Sequence, residues 1–387
     1  MTTSPISKPL PKIEAIAGFK TLACILILLH HISYSYAHAD YSRTFLTVYN
    51  IDFYPLLVNG WIGIYMYFGL CGYFVMRSWW NMPRRDYKEY AISRARRFLP
   101  LYYFVLLIVL LKIFPDYKMM NPPHLSSILY HVFLVSDFFL PDVMVLFATA
   151  SGEFKVALLL PFILLFCLRH KKPDRSLFIM MAVLVVAGLG LRLFGYSQYD
   201  VIYVYAFNYF MFFTHCMMAF VHALDPVVCG VLVAYLEFIS QKRGKPVISP
   251  RQAKILFWST IAALLVWLFC GEKLLHVTLY DATLQPILVG IFTGCLLAGV
   301  VFGGAPRFFE GGFSKNVARL SYAAYLVHIP LIATSYRILM FVPHAGKSHL
   351  VNFLYVLPAY FIIVWIASEL LQRFVEEPFV RNLKRYR

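Results

Sequence analysis

Hydrophobic positions in this chain neither alternate nor mark one face of a helix; they run together. Ten apolar runs lie at about 14–36, 57–79, 97–114, 153–168, 177–194, 226–241, 255–271, 284–304, 318–340 and 350–372. A helix needs about 20 apolar residues to cross a bilayer. Backbone facing lipid must also satisfy its own hydrogen bonds, so each run is predicted to be a transmembrane helix. The expected fold class is all-α, a polytopic membrane protein of about ten helices. Two further apolar stretches, about 126–150 and 200–224, carry acidic, proline or histidine breaks. They are expected as surface or re-entrant pieces on the outer side; a crossing by either changes the orientation of everything downstream.

Charge orients the bundle. With the N-terminus inside, the segments 1–13, 80–97, 169–175, 241–254, 305–319 and 373–387 hold 25 Lys and Arg. The outer segments hold four: Arg43, Lys118, Lys273 and Lys347. Such asymmetry is the positive-inside pattern, and both termini are expected in the cytoplasm. The chain is read as a cytoplasmic segment 1–13, a transmembrane domain 14–372 and a basic tail 373–387.

Composition excludes several classes. Of 387 residues, 60% are hydrophobic and 14% charged, far from a soluble domain. The net charge of +16 resides in cytoplasmic loops, so no nucleic-acid partner is expected. Seven cysteines form no CxxC pair, which points away from a disulfide framework or a bound metal. The first apolar run lacks a small-residue cleavage site and reads as a span rather than a removable leader. No internal repeat or appended soluble domain is evident, and the largest outer piece, about 115–152, is too short for a separate catalytic domain.

Ionisable residues inside spans cost roughly 2.5–3.5 kcal/mol at the centre and are functional candidates by default. The first run holds Lys20, His30 and His31. Lys20 and His31 are eleven residues apart, close to three turns, so they share a helix face and stand about 16 Å apart along the axis. The other reading is an interfacial histidine pair with a snorkelling lysine. Arg94 and Arg97, i and i+3 at the start of the third run, lie on one face next to Arg96, and Pro100 is expected in the first turn. Their guanidinium groups suit a phosphate-bearing cytoplasmic ligand; ordinary positive-inside charge or anionic-lipid contact is the alternative. Ser151, Glu153 and Asp225 stand where helix caps are expected. Ser321, Tyr322, Tyr325 and His328 in the ninth run suit interhelical hydrogen bonds or a site.

In this order the pieces resemble the acyltransferase-3 family of integral membrane acyltransferases. Lys20 and His31 are similar to its Arg-x10-His signature, with lysine in the arginine place. GWIGIYMYFGLCGYFV is similar to its second-span stretch, with Cys71 where serine is usual. Arg94-x-x-Arg97 with Pro100 and Tyr102 resembles its Arg-x-x-Arg-x-x-Pro-x-Tyr segment. Ser151, Glu153 and Pro161 match its Ser-Val-Glu-Glu-Gln-Phe-Tyr run, although Phe154 and Ala157 depart from it. Asp225 and Gly230 match Asp-x-x-x-x-Gly. Ser321, Tyr322, Tyr325, His328 and Pro330 match the ninth-span motif, and Glu376 sits in VEEPF. The resemblance covers about 14–380.

The resemblance implies transfer of an acyl group, acetyl by family default, from cytoplasmic acyl-CoA to a hydroxyl of an envelope glycan such as O-antigen or exopolysaccharide, in the bacterial inner membrane. The expected partners are acyl-CoA, the glycan or lipid-linked glycan, and membrane lipids; no permanent cofactor is expected. It is the stand-alone form, without the periplasmic hydrolase-like domain of some members. His31, titrating near neutrality when unperturbed, is the expected general base. Glu153 is expected to orient His31 or hold the acceptor; Lys20, Arg94, Arg97 and Tyr325 to bind acyl-CoA; Ser151, Asp225 and His328 to support the acceptor side. A covalent acyl-His or acyl-Ser151 is left open. The rival class is a transporter or flippase for a lipid-linked glycan, although no paired halves with broken helices are visible.

Overall fold

The computed structural model describes residues 13–39, 46–81, 86–114, 116–117, 124–138, 143–198, 223–270, 278–341 and 348–384. The main helices are α1 (Ile16–Ala39), α2 (Tyr54–Val58), α3 (Ile62–Asn81), α4 (Tyr87–Leu110), α5 (Leu125–Val132), α6 (Val145–Arg169), α7 (Pro173–Gln198), α8 (Leu224–Arg243), α9 (Pro250–Cys270), α10 (Leu284–Val301), α11 (Gly312–Ser335), α12 (His349–Leu371) and α13 (Glu377–Lys384). A two-residue antiparallel pair, β1 (Thr47–Val48) and β2 (Ile51–Asp52), is the sheet content among these residues. Nine helical segments among the described residues are long and apolar enough to cross a membrane. The chain is an all-α polytopic membrane protein, as the apolar runs predict.

The third expected span is where sequence and structure part. A helix does run there, but it starts ten residues early, and the charge of its first half keeps it outside the nine. Asp86 sets that start: its carboxylate accepts from the backbone N–H of Lys88 at 2.9 Å and Glu89 at 3.3 Å, an N-cap. Arg94, Arg96 and Arg97 therefore lie within α4 rather than at its mouth. Pro100 sits mid-helix, not in a first turn, and removes the backbone bond to Arg96. The outer stretch about 126–150 resolves into α5, at eight residues too short to cross, and the first turns of α6. The stretch expected at 200–224 lies outside the described residues except for its last two. The segment expected as a basic tail continues in helix, through a π-helical turn at Gln372–Glu376 into α13.

Helix α3 is the centre of the bundle: its most apolar window is 83% buried, against 28% for those of α7, α9 and α12, which face outward. Glycines let its neighbours approach. A Cβ on Gly63 would stand 2.4 Å from the Ala23 carbonyl oxygen of α1, and one on Gly230 of α8 would stand 1.9 Å from that of Gly69. Gly60 just before α3, then Gly63 and Tyr67 within it, stand opposite Leu26, Ala23 and Lys20 in turn, so α1 and α3 are antiparallel. Helices α1 and α11 are instead parallel and in register. Lys315 pairs with Glu14 at 2.5 Å near one end, and Tyr336 donates to Ser35 at 3.1 Å near the other. Two ion pairs tie α8 to its neighbours α3 and α7. Arg77 of α3 grips Glu237 of α8 with contacts of 3.1 Å from both Nε and Nη2, and Tyr73 donates to the same carboxylate at 2.8 Å. Arg192 of α7 meets Asp225 of α8 at 2.5 Å, both buried.

Candidate active site

The sequence places cations where α1, α4 and α11 meet, and the fold turns them toward one another. A cavity of about 1020 Å³ opens at that junction, lined by Lys20, Arg94, Arg96, Arg97 and Arg319, with Glu153 and Glu376 among them. Its size is at the upper end of ordinary ligand cavities. Its lining comes from the segments expected in the cytoplasm and from the inner turns of α1, α3, α6 and α11. The Lys20 ammonium stands 5.0 Å from the Phe74 ring centre. The Arg94 guanidinium lies 5.2 Å from the Tyr90 ring centre, a cation–π contact at the cavity wall. Arg97 is 63% exposed along its side chain and reaches Glu376 only at 3.9 Å, so it is weakly held. Arg319 is anchored more firmly, to Glu369 at 2.5 Å and to Gln372.

Glu376 enters through the π-helical turn, a backbone irregularity common at functional sites. One of its carboxylate oxygens is buried without a hydrogen-bond partner. Glu153 faces the cavity opposite Lys20, and its backbone carbonyl accepts from the Cys71 thiol at 3.8 Å. Tyr67, also in the lining, donates to the Lys20 carbonyl at 3.3 Å.

A second cluster lies outward of the first. His328 of α11 is fully buried, and its Nε2 stands 3.3 Å from Nδ1 of His31. The tautomers follow from the partners. His328 Nδ1 faces two carbonyl oxygens, Tyr325 at 2.7 Å and Ala324 at 3.2 Å; carbonyls only accept, so this nitrogen carries the proton. In the neutral ring Nε2 is then an acceptor. His31 Nδ1, which also faces the Ile27 carbonyl at 3.1 Å, carries its proton between the two acceptors. The lone pair of His31 therefore lies on Nε2. His30 is locked elsewhere, through Nδ1 on the Val58 carbonyl, and meets His31 edge-on at 4.6 Å.

The residues singled out from sequence divide into three groups. Lys20, Arg94, Arg97 and Glu153 share the cavity. His31, His328 and Tyr325 form the outward cluster; none of the three is in the lining of the cavity. The same-face geometry is right, but three turns of α1 separate the two residues, and Tyr67 and Tyr325 fill the interval. Ser151 and Asp225 stand apart from both. Neither Ser151 nor Glu153 is a cap, because α6 begins at Val145. Ser151 instead donates to the Leu134 carbonyl and, at 3.3 Å, to Asp137. Lys155 pairs with that aspartate, so the group pins the loop after α5 to α6. Asp225 makes no side-chain cap bond; Arg192 takes its carboxylate.

Sequence reasoning missed Tyr67, Arg319, Glu376 as a cavity residue, and the Lys155–Asp137 pair. Arg319 adjoins the ninth-span motif and Glu376 lies within VEEPF, a usable signal. Tyr67 offered none, being one of 27 tyrosines.

No curated protein and no solved structure matches the chain. A family model described as an acyltransferase domain matches residues 13–369, nearly its full length. With the helical bundle, the cationic cavity and the histidine pair in place, that match identifies the chain as a member of the acyltransferase-3 family of membrane acyltransferases.

Proposed function

We propose that the protein moves an acyl group, acetyl by family default, from cytoplasmic acyl-CoA to a hydroxyl of an envelope glycan in the bacterial inner membrane. The observation that carries this reading is the alignment of two chemistries along one axis. Lys20, Arg94 and Arg97 surround a cavity at the basic, cytoplasmic end, and an imidazole with an open Nε2 lies about 16 Å farther along α1. A phosphate-bearing donor cannot enter lipid, so its phosphates stay with the guanidinium groups. An extended pantetheine arm spans the remaining distance.

The chemistry then needs a base and a place for its proton. His31 Nε2 takes the proton of the acceptor hydroxyl as its oxygen attacks the thioester carbonyl carbon. The tetrahedral intermediate collapses, the carbon–sulfur bond breaks, and the thiolate leaves with the proton that His31 held. The imidazolium formed in between is stabilised by its Nδ1–H, which donates to His328 Nε2. His328 is thus a positioning residue that fixes the tautomer. Glu153, in the cavity near Lys20, fits orientation of the donor better than direct contact with His31.

The test uses inside-out vesicles containing the protein, acetyl-CoA outside and the lipid-linked glycan. Release of free CoA matched by acetyl esters on the glycan, read by mass spectrometry, supports the proposal. Glycan crossing the membrane without thioester consumption identifies a flippase and overturns it.

A further inference from the structure

Between cavity and histidines stand two rings. Tyr67 borders the cavity. Its ring centre lies 6.4 Å from that of Tyr325, whose ring centre lies 5.9 Å from His328. Both hydroxyl anchors are long: 3.3 Å from Tyr67 to the Lys20 carbonyl, and 3.5 Å from Tyr325 to that of Leu146. Tyr67 also meets the Ser321 hydroxyl and the Cys24 thiol, and Tyr325 the Thr149 hydroxyl, so any parting of the rings strains or exchanges these bonds.

Size decides what a small rotation admits. Carbon atoms in contact sit about 3.5–4.0 Å apart, so one file of methylene carbons between two ring centres needs about 7–8 Å. The observed separation is 6.4 Å with the rings inclined at 57°, so they must part by at least roughly 1 Å for an unbranched chain. A branch next to the carbonyl widens the chain by about one further carbon, which a close-packed interior resists.

We propose that Tyr67 and Tyr325 form the acyl-selectivity filter of this enzyme, passing an unbranched thioester arm from the cavity to His31 and excluding branched acyl groups. This rests on the proposed acyl-CoA reaction.

The experiment compares initial rates with acetyl-CoA and isobutyryl-CoA in vesicles for the wild type, Tyr67→Ala and Tyr67→Phe. The wild type is expected to favour acetyl strongly. Tyr67→Ala is expected to lower that preference by about tenfold, the effect of roughly one to two methyl groups of relieved crowding. Tyr67→Phe, which keeps the ring, is expected to hold the wild-type preference. An unchanged preference in Tyr67→Ala, or an equal loss in Tyr67→Phe, overturns the filter.

A second readout needs no turnover. His31→Cys is treated from the cytoplasmic face with a slim, unbranched methanethiosulfonate or with a bulky maleimide, each corrected against the same Tyr67 background with His31 intact. Tyr67→Ala is expected to accelerate the maleimide selectively, and equal acceleration of both reagents, or of neither, refutes the filter. A wild type that consumes no acetyl-CoA instead removes the proposed function, while the labelling still decides whether the two rings bar the path.

Discussion

Removal of Asp225 should unfold the protein rather than merely silence it. The Asp225 carboxylate and the Arg192 guanidinium are both buried, 2.5 Å apart, and join α7 to α8. Truncating Asp225 to Ala leaves a fully buried guanidinium without this carboxylate. Breaking a buried pair on one side costs about 3–5 kcal/mol, roughly a 10²–10⁴-fold change in the folded ratio. That is a large fraction of the 5–15 kcal/mol by which ordinary domains are stable. Replacing both partners by leucine removes both charges from the interior, and such swaps are often neutral or stabilising. The assay is the monodisperse peak surviving a heating series in detergent, with acyl transfer measured on the folded fraction. Asp225→Ala is expected to lose the peak at lower temperature, and Arg192→Leu with Asp225→Leu to recover both peak and transfer. A heat-resistant Asp225→Ala, or a folded double variant without transfer, refutes the structural role and returns Asp225 to the acceptor site.

Other outcomes follow from the same geometry. Arg94→Ala with Arg97→Ala removes two phosphate contacts of about 1.5–3 kcal/mol each, so acetyl-CoA affinity by calorimetry should fall by about 100-fold or more with folding retained. Gly230→Ala forces a Cβ to 1.9 Å from the Gly69 carbonyl and should abolish folded protein by size exclusion, whereas Gly190→Ala, with nothing within 4 Å, should behave as wild type. Ser151→Ala should cost about 1 kcal/mol of stability and retain transfer, because Ser151 serves the loop after α5 and not the cavity. Complete loss of transfer in folded Ser151→Ala would instead support an acyl-serine.

The helices were legible because lipid makes apolar length a near-sufficient signal. The start of α4 was missed: apolar length pointed to residue 97, whereas Asp86 caps the helix ten residues earlier. Lys20 and His31 could be placed on one face by helical periodicity. What periodicity cannot supply is the neighbour across a helix interface. The His31–His328 bond joins residues 297 apart, and the Arg192–Asp225 pair crosses helices whose connection lies in a stretch with weak patterning. Ser151 misled for a related reason: a hydroxyl near a run's edge reads as a cap until the loop it tethers is seen. The barrier at Tyr67 is a property of two rings in proximity, and no single-residue signal marks it.

The central claim is that an imidazole on α1, its proton fixed by His328, removes the acceptor's proton. The direct measurement is acetyl content, by NMR, of glycan isolated from cells carrying His31→Ala inserted at wild-type level. The account predicts no acetylation above that of cells lacking the protein. Near-normal acetylation would contradict it.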